Sequence, residues 1–305
     1  DYSTIIDPVT NKQVGIITDI EIPHGIVGAP DGTQIYITNE AMHSLDIVDS
    51  RTLRVKRRIP LSGRPNNVGV TSDGKKVYVA IMQMPGFVDI IDVDKMEMVK
   101  TVSVTGAIHN VYVTPDSRFA VAGSIQTRTI NVIDTTTDEV VWTLEMDAGI
   151  RPMTFSTHPD GSTKSIFVQL SGFHGFVVVD FDQRKEVARV EHPPATGQEP
   201  HYDGLQGAPA HGLGVTPDGT MVLSTSKVYS TVYIHSLPDL KEIAQIYVGQ
   251  HPEWITFTPD GKTAYIGAAG DHVTYAVDLE RMETVAKIDV GQVPKRVATV
   301  LMAVD

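Results

Sequence analysis

Three histidines, His24, His109 and His211, stand at one repeated distance, each six residues ahead of the proline of a Pro-Asp turn. An imidazole so placed can ligate a metal, move a proton near neutral pH, or simply hydrogen-bond a neighbour. The equivalent positions elsewhere hold Asn66, Met153, Glu253 and, by alignment, Lys295. A second recurring position, six residues before the aspartate that closes a later run, carries His43, His174 and His272, with Asp1, Gly86, Arg128 and Ser230 at its other occurrences. The chain has no cysteine, so thiolate ligands, disulfides and thiol nucleophiles are excluded together.

Several imidazoles with a carboxylate and no thiolate suit copper, and also iron, manganese or zinc. On that reading His24, His109 and His211 are the metal ligands, and three protein ligands with an open position is the catalytic arrangement. Glu253, at an equivalent position, is a fourth ligand or a general base, and His251 two residues before it is a second candidate base. Arg64 and Arg151 share that earlier position and would hold an anionic substrate beside Asn66. The one long insertion, "EHPPATGQEPHYDGLQGAPAH", brings His201 as a substrate contact and Tyr202 as a proton donor or cover.

The elements that position these residues repeat. Turn anchors occur at "PHGIVGAPDG" (23 to 32), "PNNVGVTSDG" (65 to 74), "IHNVYVTPDS" (108 to 117), "PMTFSTHPDG" (152 to 161), "AHGLGVTPDG" (210 to 219) and "PEWITFTPDG" (252 to 261), with a seventh start at "PKRVATVLM" (294 to 302). Between anchors lie alternating runs such as "QIYITN", "KVYVAI" and "TAYIGA", then a run closing on Asp49, Asp92, Asp134, Asp180 or Asp278, then one more run. Period-2 alternation between Gly, Pro and Asp turns predicts four antiparallel strands per unit. Units of this length stack radially as β-propeller blades, because a lone blade cannot bury both faces.

Residues 1–305 are therefore expected to form a single all-β domain, a seven-bladed β-propeller of four-stranded antiparallel blades. "STIIDPVTNKQVGIITDI" matches the third and fourth strands of a unit, and "KRVATVLMAV" matches the first. Chain ends that pair would close the last blade and remove an open edge. That blade lacks an obvious second strand, so it is three-stranded or lacks residues that preceded Asp1.

The motifs "PDGTQIYITN" and "SDGKKVYVAI", with "IVDSRTLRVKRRIPL" between them, resemble the YVTN-type β-propeller repeat over essentially the whole chain. The resemblance implies a fold shared by surface-layer and interaction proteins and by relatives of histidine-ligated copper and haem propellers. Asn66, Met153 and Lys295 interrupt the histidine set of the copper enzymes, which argues against a multinuclear cluster. A Pro-His-Gly strand start is also ordinary in such repeats, where the imidazole serves packing.

Propeller strands alternate in direction, which assigns nine of the eleven histidines to one face and leaves only His158 and His235 elsewhere. The expected function is an extracytoplasmic metal-dependent oxidoreductase, copper first, acting on a small molecule. A non-catalytic propeller that binds a partner protein or ligand at the same face is the alternative. A metal-dependent lyase or hydrolase, or a haem-binding propeller, comes third. The start at Asp1 is read as a trimmed, periplasmic or secreted product. A net charge of -12 argues against nucleic acid, and no run of about eighteen apolar residues spans a membrane.

Overall fold

The apolar alternation becomes strand wherever a Pro-Asp or Ser-Asp turn can reverse the chain. Gly32, Gly74, Gly219 and Gly261 take φ between 70 and 74° at these turns, a conformation closed to most residues with a Cβ. The preceding threonines Thr71, Thr114, Thr216 and Thr258 each donate to the turn aspartate at 2.6 Å. The aspartates are turn formers, as their position in the repeat predicts.

The computed structural model describes residues 2–302. It begins with β1 (Ser3–Asp7) and β2 (Lys12–Ile17), an antiparallel pair. Six four-stranded antiparallel sheets follow in sequential order. They are β3 (Pro23–Gly28) to β6 (Arg54–Pro60) with β4 (Gln34–Asn39) and β5 (Ser44–Asp49), then β7 (Pro65–Val70), β8 (Lys76–Ile81), β9 (Gly86–Asp92) and β10 (Glu97–Val104). The third is β11 (Ile108–Val113), β12 (Phe119–Ser124), β13 (Thr129–Asp134) and β14 (Glu139–Glu145). The fourth is β15 (Ile150–Thr157), β16 (Thr163–Leu170), β17 (Gly175–Asp180) and β18 (Lys185–Glu191). The fifth is β19 (Ala210–Val215), β20 (Met221–Ser226), β21 (Thr231–Ser236) and β22 (Glu242–Tyr247). The sixth is β23 (Pro252–Phe257), β24 (Thr263–Ala268), β25 (Val273–Asp278) and β26 (Glu283–Asp289). This is an all-β propeller, and none of its elements is a helix long and apolar enough to cross a membrane.

The core lies between blades. Tyr36 and Ile47 of the first blade pack with Val77, Val79 and Ile81 of the second, and Leu223 and Ile234 of the fifth pack with Ile266 and Val277 of the sixth. Each fully buried aliphatic or aromatic side chain of this kind contributes about 1.5–3 kcal/mol.

Near the axis the blades are clasped by hydrogen bonds. Thr38 Oγ1 accepts from Gly25 N at 2.6 Å and donates to Asn66 O of the next blade at 2.7 Å. Thr225 Oγ1 accepts from Gly212 N at 2.6 Å and meets Pro252 O and Glu253 O at 3.1 and 3.2 Å. The glycine after each of His24 and His211 is required by this approach. A Cβ on Gly25 would sit 2.6 Å from Asn66 O, and one on Gly212 would sit 1.9 Å from Glu253 O.

Among the described residues the expected pairing of the two chain ends is not formed. Residues 294–302 run beside β23, where Trp254 N donates to Lys295 O at 3.2 Å and Thr299 N to Thr256 Oγ1 at 3.0 Å. On the other side Val300 meets Gly28 of β3. The segment thus takes an innermost position between the sixth and first blades, yet it joins no strand ladder among the described residues. A cavity of about 850 Å³ is lined by residues of both β1 and this segment. The β1–β2 pair is tied instead to the sixth blade, where Tyr265 Oη donates to Asn11 Oδ1 at 2.5 Å. Asp1, assigned above to a loop position, and Ala303 and Val304 of the expected last strand lie outside the described residues.

Candidate functional site

Every innermost strand starts with a β-bulge. The ladders shift register between Pro23 and Ile26, Pro65 and Val68, Ile108 and Asn110, Ile150 and Met153, Ala210 and Leu213, and Pro252 and Ile255. A bulge suspends strict alternation and re-aims side chains. Two consecutive residues per blade can then face the axis, so His109 is accompanied by Asn110 and Glu253 by Trp254, while in the 294–302 segment, outside the ladders, Arg296 follows Lys295.

Arg296 holds the centre. Its Nη2 donates to Asn66 Oδ1 at 2.8 Å and to Asn110 Oδ1 at 3.3 Å, and lies 3.5 Å from His24 Nδ1. Its guanidinium carbon stands 3.6 Å from the centre of the Trp254 ring, a cation–π contact. Its Nε is buried without a hydrogen-bond partner, and so is the hydroxyl of nearby Tyr112. Burial pulls Arg296 down to about 10, against the opposing pull of Tyr112 and Glu253, so it stays cationic at neutral pH.

The three predicted ligands surround this cation. The His24 and His109 rings meet edge to face at 6.5 Å between centroids. Burial, then Arg296, lowers His24 to about 3 and holds His109 well below its usual range. Both are neutral. His211 packs on Trp254 at 4.3 Å and places Nδ1 3.0 Å from Glu253 Oε2. The other Glu253 oxygen lies 2.8 Å from Lys227 Nζ, and all three groups are buried. Burial pushes the Glu253 carboxyl up, but His211 and Lys227 outweigh it and keep the carboxylate ionised.

This arrangement does not bring His24, His109 and His211 together as a donor set. Among the described residues no group of three or more His, Cys, Asp or Glu side chains could hold a metal ion. The Arg296 guanidinium lies against His24 Nδ1, and Glu253 is spent on Lys227.

The outer candidates divide. Arg64 is exposed and paired with Glu40. Arg151 donates to Ser171 Oγ at 2.9 Å and to Gln206 O at 2.8 Å, fastening the insertion to the fourth blade. Asn66 faces the axis as expected. His251 packs against Gly204 of the insertion, and His201 of that loop is exposed. Tyr202 is 69% exposed.

The second histidine position has a backbone cause. His43, Arg128, Ser230 and His272 all take φ between 51 and 60°. Histidine is one of the residues enriched in that left-handed region, and His43 and His272 are exposed there. His174 and His192 turn toward the fifth blade, His174 part-buried and His192 buried, bonded to Ser226 and Ser224 at 2.7 and 2.8 Å, with His235 5.5 Å from His192.

Sequence reasoning missed Arg296, Lys227, Trp254 and Asn110. Three of them follow an axial residue by one position, and a strict two-residue period discards them.

No family model matches the chain, and no curated protein matches it. Among solved structures it is similar to a chain of Kuenenia stuttgartiensis hydrazine synthase, with a TM-score of 0.76 and 22% identity over 94% of this chain and 92% of that one. The likeness shows a shared propeller fold. The finer YVTN assignment has no family match behind it.

Proposed function

We propose that the six blades, the β1–β2 pair and the 294–302 segment form a seven-membered ring whose axial mouth binds a small anionic ligand. One observation carries this reading: Arg296, at the axis, has no carboxylate partner within ion-pair distance among the described residues, and neither Lys295 nor Arg151 has one. Around the mouth stand five cationic side chains, Arg64, Arg151, Lys227, Lys295 and Arg296, against the carboxylates Glu40 and Glu253. A chain of net charge -12 has gathered positive charge in one narrow, partly desolvated place. Such a cleft focuses potential and concentrates anions.

Neutral His24 and His109 and the amides of Asn66 and Asn110 would orient the ligand without cancelling the charge. A carboxylate or similar oxyanion matches the planar guanidinium, which binds it through two parallel hydrogen bonds. The setting in this reading is periplasmic or extracellular, as expected from the sequence.

A transition-metal site, copper first with oxidoreductase chemistry, is the second reading. The neutral state of His24 and His109 favours it, since a metal needs the unprotonated imidazole. It would require Arg296 to move away from His24 Nδ1. Calorimetric titration with oxalate, malonate and phosphate in chloride-free buffer, on the protein and on Arg296→Gln, separates the two. One anion site per chain that is lost in the variant supports the anion reading. Near-stoichiometric copper, iron, manganese or zinc after reconstitution, with no anion binding, replaces it with the metal reading.

A further inference from the structure

The face of the propeller opposite the axial mouth carries a second concave site. The turns that follow the innermost and third strands open there, and between the third and fourth blades they enclose a pocket of about 300 Å³. Its wall is aromatic. The Phe119 and Phe181 rings lie 5.1 Å apart, and the Trp142 ring meets Phe181 edge to face at 5.4 Å. Phe181 is buried, whereas Phe119 and Trp142 are only half-buried.

The repeat explains why the pocket opens at this junction. In the six blades the left-handed residue of the turn before the outermost strand is Leu53, Met96, Asp138, Arg184, Leu240 or Met282, with φ between 54 and 57°. Leu53, Met96, Leu240 and Met282 pack into the core shared with the preceding blade or strand pair. Asp138 reaches back to Tyr78 and Lys76 at 2.6 and 2.7 Å. Arg184 does neither: it is exposed, with its guanidinium carbon 5.8 Å from the centre of the Trp142 ring, near the limit of about 6 Å for a cation–π contact. The aromatic wall departs from the repeat as well. Register places Gln34, Lys76, Ser165, Met221 and Thr263 where the third blade has Phe119. It places Arg57, Lys100, Ala188, Ala244 and Ala286 where that blade has Trp142.

The polar groups of this pocket are unspent. Arg118 is exposed with its guanidinium carbon 5.6 Å from the centre of the Phe119 ring, and neither it nor the Arg184 guanidinium has a carboxylate partner among the described residues. Asp182 at the rim is exposed, and Asp116 commits only Oδ1, to Thr114 and to the Arg118 backbone amide. We infer that this pocket binds a uronic-acid residue of an acidic glycan. The carbon-bound hydrogens of the sugar ring would lie on the electron-rich aromatic wall. The uronate carboxylate would take parallel hydrogen bonds from Arg184 or Arg118, and the ring hydroxyls would donate to Asp116 and Asp182. An inorganic anion would leave the aromatic wall and both aspartates unanswered, and a neutral sugar would leave both guanidinium groups so. The volume lies at the small end of ligand pockets, which limits the contact to about one sugar ring. This site is independent of the axial anion reading.

The test is calorimetric titration with digalacturonate, its methyl ester and benzoate, on the protein and on Arg184→Met, Arg118→Gln and Arg296→Gln. Arg184→Met restores the side chain that Met96 and Met282 place in this turn, so it should fill the pocket and melt no lower than the protein itself. The expected result is one digalacturonate per chain, retained in Arg296→Gln, weakened in Arg118→Gln and lost in Arg184→Met. The ester should bind about ten-fold more weakly or worse, the worth of a charge-assisted hydrogen bond. No binding of digalacturonate, equal binding of acid and ester, tighter binding of benzoate, or binding that survives in Arg184→Met would each overturn it. Loss of binding in Arg296→Gln would place the sugar at the axial mouth and overturn it too. Oxalate binding reads that mouth separately, so a failure here leaves the anion reading standing.

Discussion

At the scale of single residues, the site is governed by which charges are paired. Glu253 is buried between His211 and Lys227, and neither member of the Glu253–Lys227 pair can be removed without leaving a bare charge behind. Breaking a buried pair costs about 3–5 kcal/mol. Glu253→Gln and Lys227→Met should each lower stability by roughly 3 kcal/mol or more, and the double variant should recover part of the loss in a denaturant titration. Additive losses would show that the pair is not coupled. The buried histidines set a pH dependence. His24 falls to about 3 and His235 to about 4, from an ordinary value of 6.5. The folded protein therefore binds fewer protons than the unfolded chain in this range, and stability falls as pH drops. The contribution is complete above pH 6.5 and is lost below it, down to about 4 for His235 and about 3 for His24. Melting temperature should be flat from neutral to mildly alkaline pH and fall through that window, with a shallower slope in His235→Phe. An unchanged slope would mean that His235 is not held neutral.

At the scale of elements, the bulge at the start of each innermost strand determines what was legible in the sequence. Period-2 alternation located the strands, and the turn anchors located the blades, because both patterns are local. The axial residues His24, Asn66, His109, His211 and Glu253 were legible for the same reason. Arg296 was not. It sits one position beyond an axial residue, in a segment that joins no strand ladder among the described residues, so period-2 alternation gives no guide there. The histidines at the second position were over-read, because the left-handed turn at His43 and His272 gives imidazole a backbone reason to recur. His174, His192 and His235 come from different strands and loops, so their common burial depends on blade stacking that no local pattern encodes. The inter-blade clasp gives its own prediction. Gly212→Ala forces a methyl group against Glu253 O and should cost about 2–3 kcal/mol. Gly219→Ala, at φ 71° with nothing within 4 Å, should cost only about 1 kcal/mol. Equal effects of the two in thermal melts would mean that close approach is not what the blade junction requires of Gly212.

At the scale of the whole molecule, the propeller places an acidic exterior around a cationic axis. Binding of oxalate should therefore weaken as salt rises across the range in which the screening length shortens from about 30 to about 8 Å. An affinity indifferent to salt would point away from charge as the source of binding.

The most direct measurement is a crystal structure of the protein grown with oxalate in place of other anions. The account predicts oxalate at the axial mouth, within hydrogen-bond reach of the Arg296 guanidinium and flanked by His24 and Asn66. Oxalate bound only elsewhere, or Arg296 found in an ion pair with a carboxylate of the protein itself, would contradict it.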